Sequence, residues 1–569
     1  MRLKMKKKAI PIIIAIALIC VVAGVTFSKM IIDKYSYGTE WADYNEYFDI
    51  YDESEVPVIL QTERLEEKGK AIGSQVYFDT DTIKKYFTVR FYVDYNENLL
   101  LYTTPTETVV SPIGESYYTE GGETITKDYP ISVMEGDTLY IAIDYIKKFV
   151  PIEYKLFEEP KRMQIYTEWN DKQVAEIKAD TQVRWRGGVK SEILTEVAKG
   201  DMVEILEPMD DWTKVKTNDC FIGYVPNKML GSDEVGPVQK PADLAPVEEY
   251  TSLNRGKKIN LTWHNIEYPQ DGYGLMEACA NVKSVNVISP TWFWMTDNAG
   301  NMASVANADY VNAAHNMGME VWALVSNFHS GTDIDTYELL SYTSKRKYII
   351  QNLIEQTVFY GADGINVDFE QVPSKAGESY IQFIRELALE CHKNNLVLSV
   401  DNYVPSEYTA HYNRKEQGLF ADYVIIMGYD EHYVGSEVGS VSSIGWMKQG
   451  IEDTLKVVPA EKVINGIPFY TRVWKTTGAD VASEAVDMIV ANGFLEKNGL
   501  TAEWDEETNQ NYAETVIGGT TYQVWMEDAD SIKVRLNVMN TFGIAGVASW
   551  KLGQETPDIW DLISAYMAN

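Results

Sequence analysis

Residues 363–370 read DGINVDFE. Side chains alternate across a β-strand, so Asn366, Asp368 and Glu370 share one face while three apolar side chains share the other. In a parallel strand covered by helices, the apolar face packs against the helices and the polar face points into the protein. Two carboxylates aimed inward are costly to bury unless they are paired, hydrogen-bonded or functional. The segment therefore predicts a strand that carries an active site, the alternative being an antiparallel strand whose polar face lies in water.

From Lys258 onward, apolar strand-like runs alternate with helical stretches, which is the pattern of repeated βα units. Eight strands are predicted, at residues 259–263, 285–288, 321–325, 364–369, 397–400, 423–427, 463–467 and 546–550. This pattern predicts an α/β fold, a TIM (β/α)8 barrel over residues 257–569, with its active site at the C-terminal ends of the strands. An insertion near residues 470–530 is expected to form one wall of a cleft. The competing fold is an open doubly wound sheet, but no glycine-rich phosphate loop follows the first strand.

The N-terminus indicates the compartment. Five basic residues between positions 2 and 8 precede nineteen uncharged residues, 9–27, which as a helix would span roughly 28 Å, close to the thickness of a bilayer core. Basic residues before the span favour a cytoplasmic N-terminus. We therefore predict a cytoplasmic tip and single-pass membrane anchor over residues 1–33, with the catalytic domain outside the cytoplasm. The alternative is a signal peptide whose cleavage releases a secreted protein.

Four further segments separate this anchor from the barrel. Residues 34–56 are predicted to be a spacer, and residues 234–256, with prolines among small and acidic residues, to be a linker. Residues 57–170 contain two strand–helix–strand units that resemble copper amine oxidase N-terminal-like modules, a name that implies no copper here. Residues 171–233 read as short strands that resemble a bacterial SH3-like domain, for which cell-wall binding or a spacer role is expected. An unrelated small α+β module is the alternative for residues 57–170.

Composition limits the partners. The formal net charge is -34, and an excess of acidic residues repels phosphate backbones, so nucleic acid is not expected as a partner. The four cysteines form no CxxC or Cys/His cluster, so a zinc site is not expected, and neither a metal nor another cofactor is predicted. The fold is not expected to depend on disulfides, although one pair stays open. The sequence leaves the oligomeric state open.

Three motifs resemble glycoside hydrolase family 18, the chitinase-like barrels. Residues 363–370 resemble its D-G-x-D-x-D-x-E motif, residues 427–430 (MGYD) resemble its Met-x-Tyr-Asp, and Trp550 ends the eighth strand as the family's tryptophan does. The resemblance covers about residues 258–569. One departure is Asn366, which replaces the usual middle Asp. That substitution, with Gln554 and the segment WMED at 525–528, resembles the spore-cortex and cell-wall branch, the peptidoglycan N-acetylglucosaminidases.

The resemblance implies a substrate-assisted, retaining reaction, an exception to the two-carboxylate plan of most glycosidases. The 2-acetamido oxygen of the substrate attacks the anomeric carbon, and an oxazolinium intermediate forms. Glu370 is implied to protonate the leaving oxygen and then to activate water. Asp368 is implied to orient the acetamido group and to stabilise the cationic intermediate. Asp363 and Asn366 are implied to hold Asp368 in place.

Five further residues are predicted to bind substrate. Tyr429 and Asp430 are implied to contact the acetamido group and neighbouring hydroxyls, and Trp550 to stack on the apolar face of the sugar. Asn402 and Asn327 are cleft candidates because they lie near the ends of the predicted fifth and third strands. For Trp550 the alternative is a core position, and for the Tyr429–Asp430 pair the start of a loop.

The function that follows is hydrolysis of β-glycosidic bonds next to N-acetylglucosamine in peptidoglycan. A chitinase with the same chemistry is the first alternative. A barrel that binds glycan without cleaving it is the second, although the acid, Glu370, is present. An adhesion protein with a decorative barrel is the third.

Overall fold

A computed structural model describes residues 2–238 and 240–568, with side chains from Ile10 onward. The side chains of the predicted basic tip, residues 2–8, lie outside the described residues. The chain forms two compact units. The first contains the residues up to Val89 together with 113–117 and 126–247, and the second contains 90–112, 118–125 and the residues from Glu248 on.

The N-terminal helix α1 (Arg2–Tyr35) carries the apolar run that the sequence identifies. The most apolar stretch of 18 residues within Ile10–Tyr35 has a mean hydropathy of 2.9, and the side chains of Ile10–Tyr35 are not buried. Within the described residues it is the one helix long and apolar enough to cross a bilayer. The helix could therefore serve as a membrane anchor or as a signal sequence.

Residues 44–166 contain three short helices and twelve strands. In chain order these are α2 (Tyr44–Phe48), β1 (Glu55–Leu60), β2 (Glu63–Ile72), β3 (Gln75–Asp79), α3 (Thr80–Tyr86), β4 (Phe91–Asp94), β5 (Leu99–Thr103), β6 (Thr108–Pro112), β7 (Tyr117–Glu120), β8 (Glu123–Thr126), β9 (Ser132–Glu135), β10 (Thr138–Ala142), α4 (Ile143–Lys147), β11 (Glu153–Phe157) and β12 (Arg162–Tyr166). One sheet, in the order β11-β12-β1-β2-β3-β10-β9, belongs to the first unit. A second sheet, β4 to β8 in sequence order, belongs almost entirely to the second unit. The segment 57–170 therefore contributes strands to both units.

Residues 172–236 form an antiparallel sheet in the first unit. Its strands are β13 (Lys172–Glu176), β14 (Thr181–Arg184), β15 (Ile193–Val197), β16 (Met202–Pro208), β17 (Trp212–Lys216), β18 (Ile222–Pro226) and β19 (Glu234–Gly236). Val183, Val203, Val215 and Val225 build its core. The Tyr47 hydroxyl on α2 donates to the carbonyl of Ile222 at 2.7 Å, so this all-β region and α2 pack as one body.

The region from Ile259 onward is a closed barrel. Its elements are β20 (Ile259–His264), α5 (Leu275–Ala278), β21 (Val287–Met295), β22 (Met302–Ser304), α6 (Ala308–Asn316), β23 (Glu320–Ser326), α7 (Thr336–Leu340), α8 (Thr343–Tyr360), β24 (Gly364–Asp368), α9 (Gly377–Lys393), β25 (Val397–Tyr403), α10 (Arg414–Phe420), β26 (Tyr423–Met427), α11 (Ile444–Leu455), β27 (Val463–Pro468), β28 (Tyr470–Thr477), β29 (Asp480–Asp487), α12 (Met488–Asn498), β30 (Glu503–Asp505), β31 (Gln510–Ile517), β32 (Thr520–Trp525), α13 (Ala529–Phe542), β33 (Gly546–Trp550) and α14 (Ile559–Met567).

Eight of these strands pair in parallel in the order β20-β33-β27-β26-β25-β24-β23-β21, and β20 also pairs with β21, which closes the ring. The predicted (β/α)8 barrel is confirmed. Trp263, Trp322 and Tyr423 are among the side chains that fill its interior. Gly364, the glycine of the DGINVDFE segment, has no room for a side chain, because a Cβ there would lie 2.7 Å from the carbonyl oxygen of Val397.

The insertion after β27 forms its own antiparallel sheet in the order β29-β28-β32-β31-β30, with α12 beside it. Val473, Ala513 and Val524 lie in a small hydrophobic core of this insertion. Behind it, Glu527 and Arg535 form a buried ion pair at 2.6 Å. The insertion is therefore a folded element and not a long loop.

Residues of β4 and β5, and of the turn between them, form hydrogen bonds with two helices of the barrel, α8 and α9. Asp94 accepts hydrogen bonds from the backbone N–H and the hydroxyl of Thr343, both at 2.7 Å, and Glu97 accepts from the N–H of Ser344 at 2.9 Å. Two carboxylates from a distant part of the chain thus cap the N-terminus of α8. On α9, the Gln382 amide donates to the Thr103 hydroxyl at 2.8 Å. The N-terminus of α8 therefore depends on residues that precede it by about 250 positions.

Candidate active site

A cavity of about 650 Å³ opens at the C-terminal ends of the barrel strands. Side chains from all but one of the barrel strands and the loops after them line it: Trp263, Asn265, Ile266, Glu267, Tyr268, Thr291, Phe293, Trp294, Leu324, Ser326, Phe328, His329, Ser330, Asp368, Glu370, Asp401, Tyr403, Met427, Tyr429, Asp430, Tyr470 and Trp550. Large concave sites with a few convergent polar groups bind small ligands, and in this fold they lie at this face. The predicted pair Asp368 and Glu370 lies in it.

Asp368 is the last residue of β24, and its side chain points into the barrel. The residue is 7% exposed, and its Oδ1 atom has no hydrogen-bond partner among the described residues. Burial raises the pKa of this carboxyl well above its usual range, and the charges of Glu370 and Asp401 raise it further. An unpartnered buried carboxylate oxygen at the floor of a cavity is placed to meet a group of a ligand.

Glu370 follows the strand and is held at both its backbone and its carboxylate. Its N–H donates to the Oδ1 of Asn327 at 2.9 Å, and the Asn327 amide donates to its carbonyl at 2.8 Å. The Tyr403 hydroxyl donates to Glu370 Oε2 at 2.7 Å. Burial raises the pKa of Glu370, the Tyr403 hydrogen bond opposes that rise, and the charge of Asp430 adds to it. A carboxyl whose pKa is raised by burial has the property of a general acid.

Asn327 therefore acts through Glu370 and is not among the residues that line the cavity. Its amide also donates to the Thr336 hydroxyl at 2.8 Å, which fixes the side chain from the other side. A direct contact between Asn327 and substrate stays a prediction.

Asn366 lies one level below Asp368 on the same face of β24. Its carbonyl oxygen accepts from Trp263 Nε1 at 2.9 Å and from the Ser289 hydroxyl at 3.0 Å. Its amide donates to Asp401 at 2.8 Å and to the Ser399 hydroxyl at 3.0 Å. The interaction implied with Asp368 is therefore not the one this amide makes, because both of its N–H groups have partners on the neighbouring strand β25.

Asp363 is not in the cavity. It precedes β24 at the opposite end of the barrel, about 16 Å from Asp368 at 3.3 Å per strand residue. Its carboxylate accepts from His315 Nε2 and from the Val321 N–H, each at 2.8 Å. These contacts tie α6 and β23 to the start of the strand. The expectation that Asp363 holds Asp368 in place fails in this structure because the strand separates them.

Asn402 also points away from the cavity. Its side chain exchanges hydrogen bonds with Gln417 on α10, at 2.7 and 3.1 Å, and is fully buried outside the strand ring. Its neighbours Asp401 and Tyr403 point inward and line the cavity. Sequence reasoning missed these two residues. The alternation of β25 could have found them, since Leu398 and Val400 mark the apolar outer face that Asn402 shares.

The predicted binding residues Tyr429, Asp430 and Trp550 all line the cavity. Trp263 packs against Trp550 with ring centroids 5.9 Å apart and against Tyr429 at 6.5 Å. Asp430 accepts a hydrogen bond from the Tyr470 hydroxyl at 2.5 Å. Tyr470 begins β28, so the insertion after β27 contributes this one side chain to the cavity lining.

On the opposite side, Trp294 stacks on His329 with ring centroids 4.1 Å apart and planes 13° from parallel. Phe328 and Tyr268 are exposed beside them. Aromatic faces bind the apolar faces of sugar rings. The cavity therefore has an aromatic floor and an aromatic rim, with carboxylates between them.

The polar lining is acidic. Glu267, Asp368, Glu370, Asp401 and Asp430 line the cavity, and among the described residues no lysine or arginine does. Within the same described part of the chain, no group of three or more His, Cys, Asp or Glu side chains is arranged to hold a metal ion. The chemistry that these residues supply is proton transfer by Glu370 and stabilisation of positive charge by the neighbouring carboxylates.

Comparison with known proteins agrees with this geometry. Residues 277–555 match the profile of glycosyl hydrolases family 18, which covers the catalytic strand, the MGYD segment and Trp550. Residues 277–555 of this chain form a family 18 glycosyl hydrolase domain, so the barrel is a glycoside hydrolase domain.

Two relatives come from Bacillus subtilis. The cortical fragment-lytic enzyme is 28% identical over 236 residues, which cover 40% of this chain and 54% of that enzyme. The uncharacterized glycosylase YvbX is 25% identical over 300 residues, which cover 49% of this chain and 84% of YvbX. The chain thus spans little more than half the length of the cortical fragment-lytic enzyme.

Two solved structures share the barrel fold. The chitinase from Chromobacterium violaceum superposes with a TM-score of 0.50 at 22% identity, covering 55% of this chain and 99% of that one. The spore cortex-lytic enzyme SleL of Bacillus cereus gives a TM-score of 0.50 at 21% identity, covering 58% and 78%.

Proposed function

We propose that this protein hydrolyses β-glycosidic bonds next to N-acetylglucosamine in peptidoglycan. The reaction proposed is substrate-assisted and retaining. Glu370 protonates the leaving oxygen and later activates water, while the 2-acetamido oxygen of the substrate attacks the anomeric carbon. Asp368 receives the acetamido N–H and stabilises the cation that forms.

One observation carries the mechanism: the Oδ1 atom of Asp368 is buried, has no partner and lies at the floor of the cavity that also holds Glu370. An acetamido N–H would complete its hydrogen bonding. The residues differ in role because Glu370 has a hydroxyl donor on its carboxylate and a clamped backbone, whereas Asp368 lacks a partner on Oδ1. Trp550 and Trp263 supply an aromatic surface on which a sugar ring can lie.

Peptidoglycan as the polymer is supported by the relatives named as cortical fragment-lytic enzymes, which occur in Bacillus subtilis, Bacillus anthracis and Bacillus cereus. Chitin is the second candidate, favoured by the full coverage of the Chromobacterium violaceum chitinase by this barrel. Both polymers contain N-acetylglucosamine, so the same cleavage chemistry serves either one.

We infer that α1 anchors the enzyme to a membrane with the catalytic barrel outside the cytoplasm. The support is a basic segment followed by a helix whose apolar side chains are exposed along Ile10–Tyr35. Release by signal cleavage is the alternative.

The SH3-like strands of residues 171–233 are proposed to hold the enzyme on the cell wall, and residues 57–170 are proposed as a copper amine oxidase N-terminal-like module without copper.

The deciding experiment digests purified peptidoglycan and chitin in parallel with the full chain in detergent, followed by mass analysis of the new reducing ends. N-acetylglucosamine at the new reducing ends of peptidoglycan is the expected product. Release from chitin alone would assign the protein to the chitinases. Rapid cleavage of plain glucosides, which lack the acetamido nucleophile, would overturn the mechanism.

The matched variants are Glu370→Gln and Glu431→Gln. The first removes the acid and is expected to lower kcat at least roughly 10²–10⁴-fold while sugar binding persists. The second changes a glutamate on the loop after Asp430 that accepts from the Ser443 hydroxyl at 3.0 Å and does not line the cavity, so its activity should stay near wild type. More than a tenth of wild-type turnover in the Glu370→Gln protein would assign the acid role to another residue.

A further inference from the structure

Strand β25 brings a second carboxyl group to the side of Asp368. The parallel register pairs Asn366 with Ser399 and Val367 with Val400, so the next residues, Asp368 and Asp401, lie at the same level on neighbouring strands. Neighbouring strands are about 4.8 Å apart, and both side chains point inward. Two acidic side chains therefore share the floor of the cavity.

Asp401 is held firmly in that place. It is 2% exposed, and its Oδ1 accepts the Asn366 amide at 2.8 Å. The carbonyl oxygen of Asn366 accepts from Trp263 and Ser289 at the same time. If the Asn366 amide were flipped, its N–H groups would face the N–H of Trp263 and the hydroxyl of Ser289, which already donate. Asn366 therefore has one favourable orientation.

The groups that face Asp401 are acidic or weakly acidic. They are Asp368 and Glu370 on the β24 side, Tyr429 after β26, and Tyr380 on α9. Among the residues that the structure describes, no basic side chain contacts Asp401. Burial raises the pKa of Asp401 well above its usual range and the charge of Glu370 adds to this, while the Asn366 and Trp263 hydrogen bonds oppose it. Full ionisation of both aspartates is therefore unfavourable.

We propose that Asp401 is a positioning residue for the glycosidase reaction: it is the proton partner of Asp368, and Asn366 holds it there. The pair keeps one proton. As the cationic intermediate forms, the proton moves from the Asp368 carboxyl to the Asp401 carboxylate, which leaves Asp368 ionised beside the cation. When the intermediate is hydrolysed the proton returns. The inference rests on the proposed role of Asp368 as the carboxylate that stabilises the intermediate.

Steady-state kinetics of the full chain in detergent test this pairing. Asp401→Asn removes the proton acceptor, so kcat should fall about 10²-fold, the size of effect that a lost electrostatic contribution produces. KM should change less than about threefold, because the ionised form of Asp368 is required only as charge develops. A carboxyl that only filled space would affect thermal stability without this separation of kcat from KM.

The double variant Asn366→Asp with Asp401→Asn exchanges the two groups while keeping their number. The amide now lies on β25 and the carboxylate on β24, so the amide-to-carboxylate hydrogen bond and the second acid beside Asp368 are both retained. We expect its kcat within about tenfold of wild type and well above that of Asp401→Asn alone, a strong coupling between the two sites. If the fold-decrease in kcat of the double variant equalled the product of the fold-decreases of Asn366→Asp and Asp401→Asn alone, Asp401 would have no pairing role.

A titration that needs no activity completes the test. Infrared difference spectra of buried carboxyl groups in the free enzyme, recorded across pH, should show two steps for the pair. Asp401→Asn and Asp368→Asn should each remove one step and move the other to a pH between the two. If the two aspartates titrated independently, each substitution would remove one step and leave the other at its wild-type pH. That result would overturn the proposal.

Asp422→Asn is the matched control, because Asp422 is a buried carboxylate in the same barrel but at the N-terminal end of the strands. It accepts from the N–H groups of Leu253 and Leu398 at 2.6 and 2.8 Å. This variant should lose thermal stability without any change in the infrared steps of the pair. If the wild-type protein cleaves no glycan that contains N-acetylglucosamine, the proposed function fails, and the titration still decides the pairing.

Discussion

Removing a single oxygen atom from Tyr403 should shift the pH range in which the enzyme works. The Tyr403 hydroxyl donates to Glu370 Oε2 at 2.7 Å and thereby stabilises the ionised form of the acid. Burial raises the pKa of Tyr403 itself, so the hydroxyl remains protonated throughout an ordinary assay. In Tyr403→Phe, the ionised form of Glu370 loses this donor while the burial that raises its pKa remains.

A hydrogen bond to a charged group contributes about 1.5–3 kcal/mol, and each pKa unit corresponds to about 1.4 kcal/mol. Because Tyr403 is only half-buried, the lower end applies, so the pKa of Glu370 should rise by about 1 unit. The reaction needs Glu370 protonated. The basic limb of the kcat/KM profile should therefore move to higher pH by about 1 unit.

The assay is kcat/KM on a soluble N-acetylglucosamine oligomer between about pH 3 and pH 10, with thermal melts at each pH. Tyr412→Phe is the matched control. Its hydroxyl donates to the carbonyl of Phe369 at 3.3 Å and accepts from the N–H of Val372 at 3.2 Å, without a hydrogen bond to the Glu370 carboxylate. A folded Tyr403→Phe protein with an unmoved basic limb would refute the assignment of Glu370 as the acid that this hydroxyl tunes.

Three further changes test other parts of the structure. Asp363→Asn should leave kcat within about twofold but lower the melting temperature, because this carboxylate is a bond between elements far from the cavity, with a cost of about 1–3 kcal/mol; a large loss of kcat in a stable protein would return Asp363 to the site. Trp550→Ala should raise KM about tenfold or more, since a stacking surface for the sugar is lost; unchanged KM would make Trp550 a core residue only. A chain that begins at Asn254 should melt at a lower temperature than one that begins at residue 34, because α8 loses the Asp94 cap, worth about 0.5–2 kcal/mol, and more with the buried contacts around it; equal melts would show that the preceding strands add nothing to the barrel.

The sequence predicts the barrel well because its pattern is redundant. Each strand is apolar, each is followed by a helical stretch, and Gly364 lies where the strands leave no room for a side chain. Three motifs at the ends of β24, β26 and β33 agree independently on the position of the site. Errors in one strand boundary do not alter such a conclusion.

The site is predicted only in part, because its other residues depend on facing directions and on partners distant in sequence. Asp363 belongs to the same short motif as Glu370 but lies at the opposite end of the strand. Asn402 lies in the correct strand on the wrong face, and its neighbour Asp401 carries the acid. The Asn366 amide donates both of its hydrogen bonds to residues of β25. These partners follow from the register between β24 and β25, which the sequence of one segment does not show.

Residues 90–112 and 118–125 belong to the barrel's unit, whereas residues 113–117 and 126–247 belong to the other unit. A protease that cut within the predicted linker, residues 234–256, would therefore not by itself separate the barrel from the N-terminal segment. Residues 90–112 would stay bound to α8 and α9 through Asp94 and Thr103, and they continue directly into the N-terminal segment that carries α1. If α1 anchors the protein as proposed, the barrel's unit is joined to α1 in two ways: through the chain that follows residue 126 and through residues 90–112, which are part of its own fold. Release from the membrane would then require both connections to be broken.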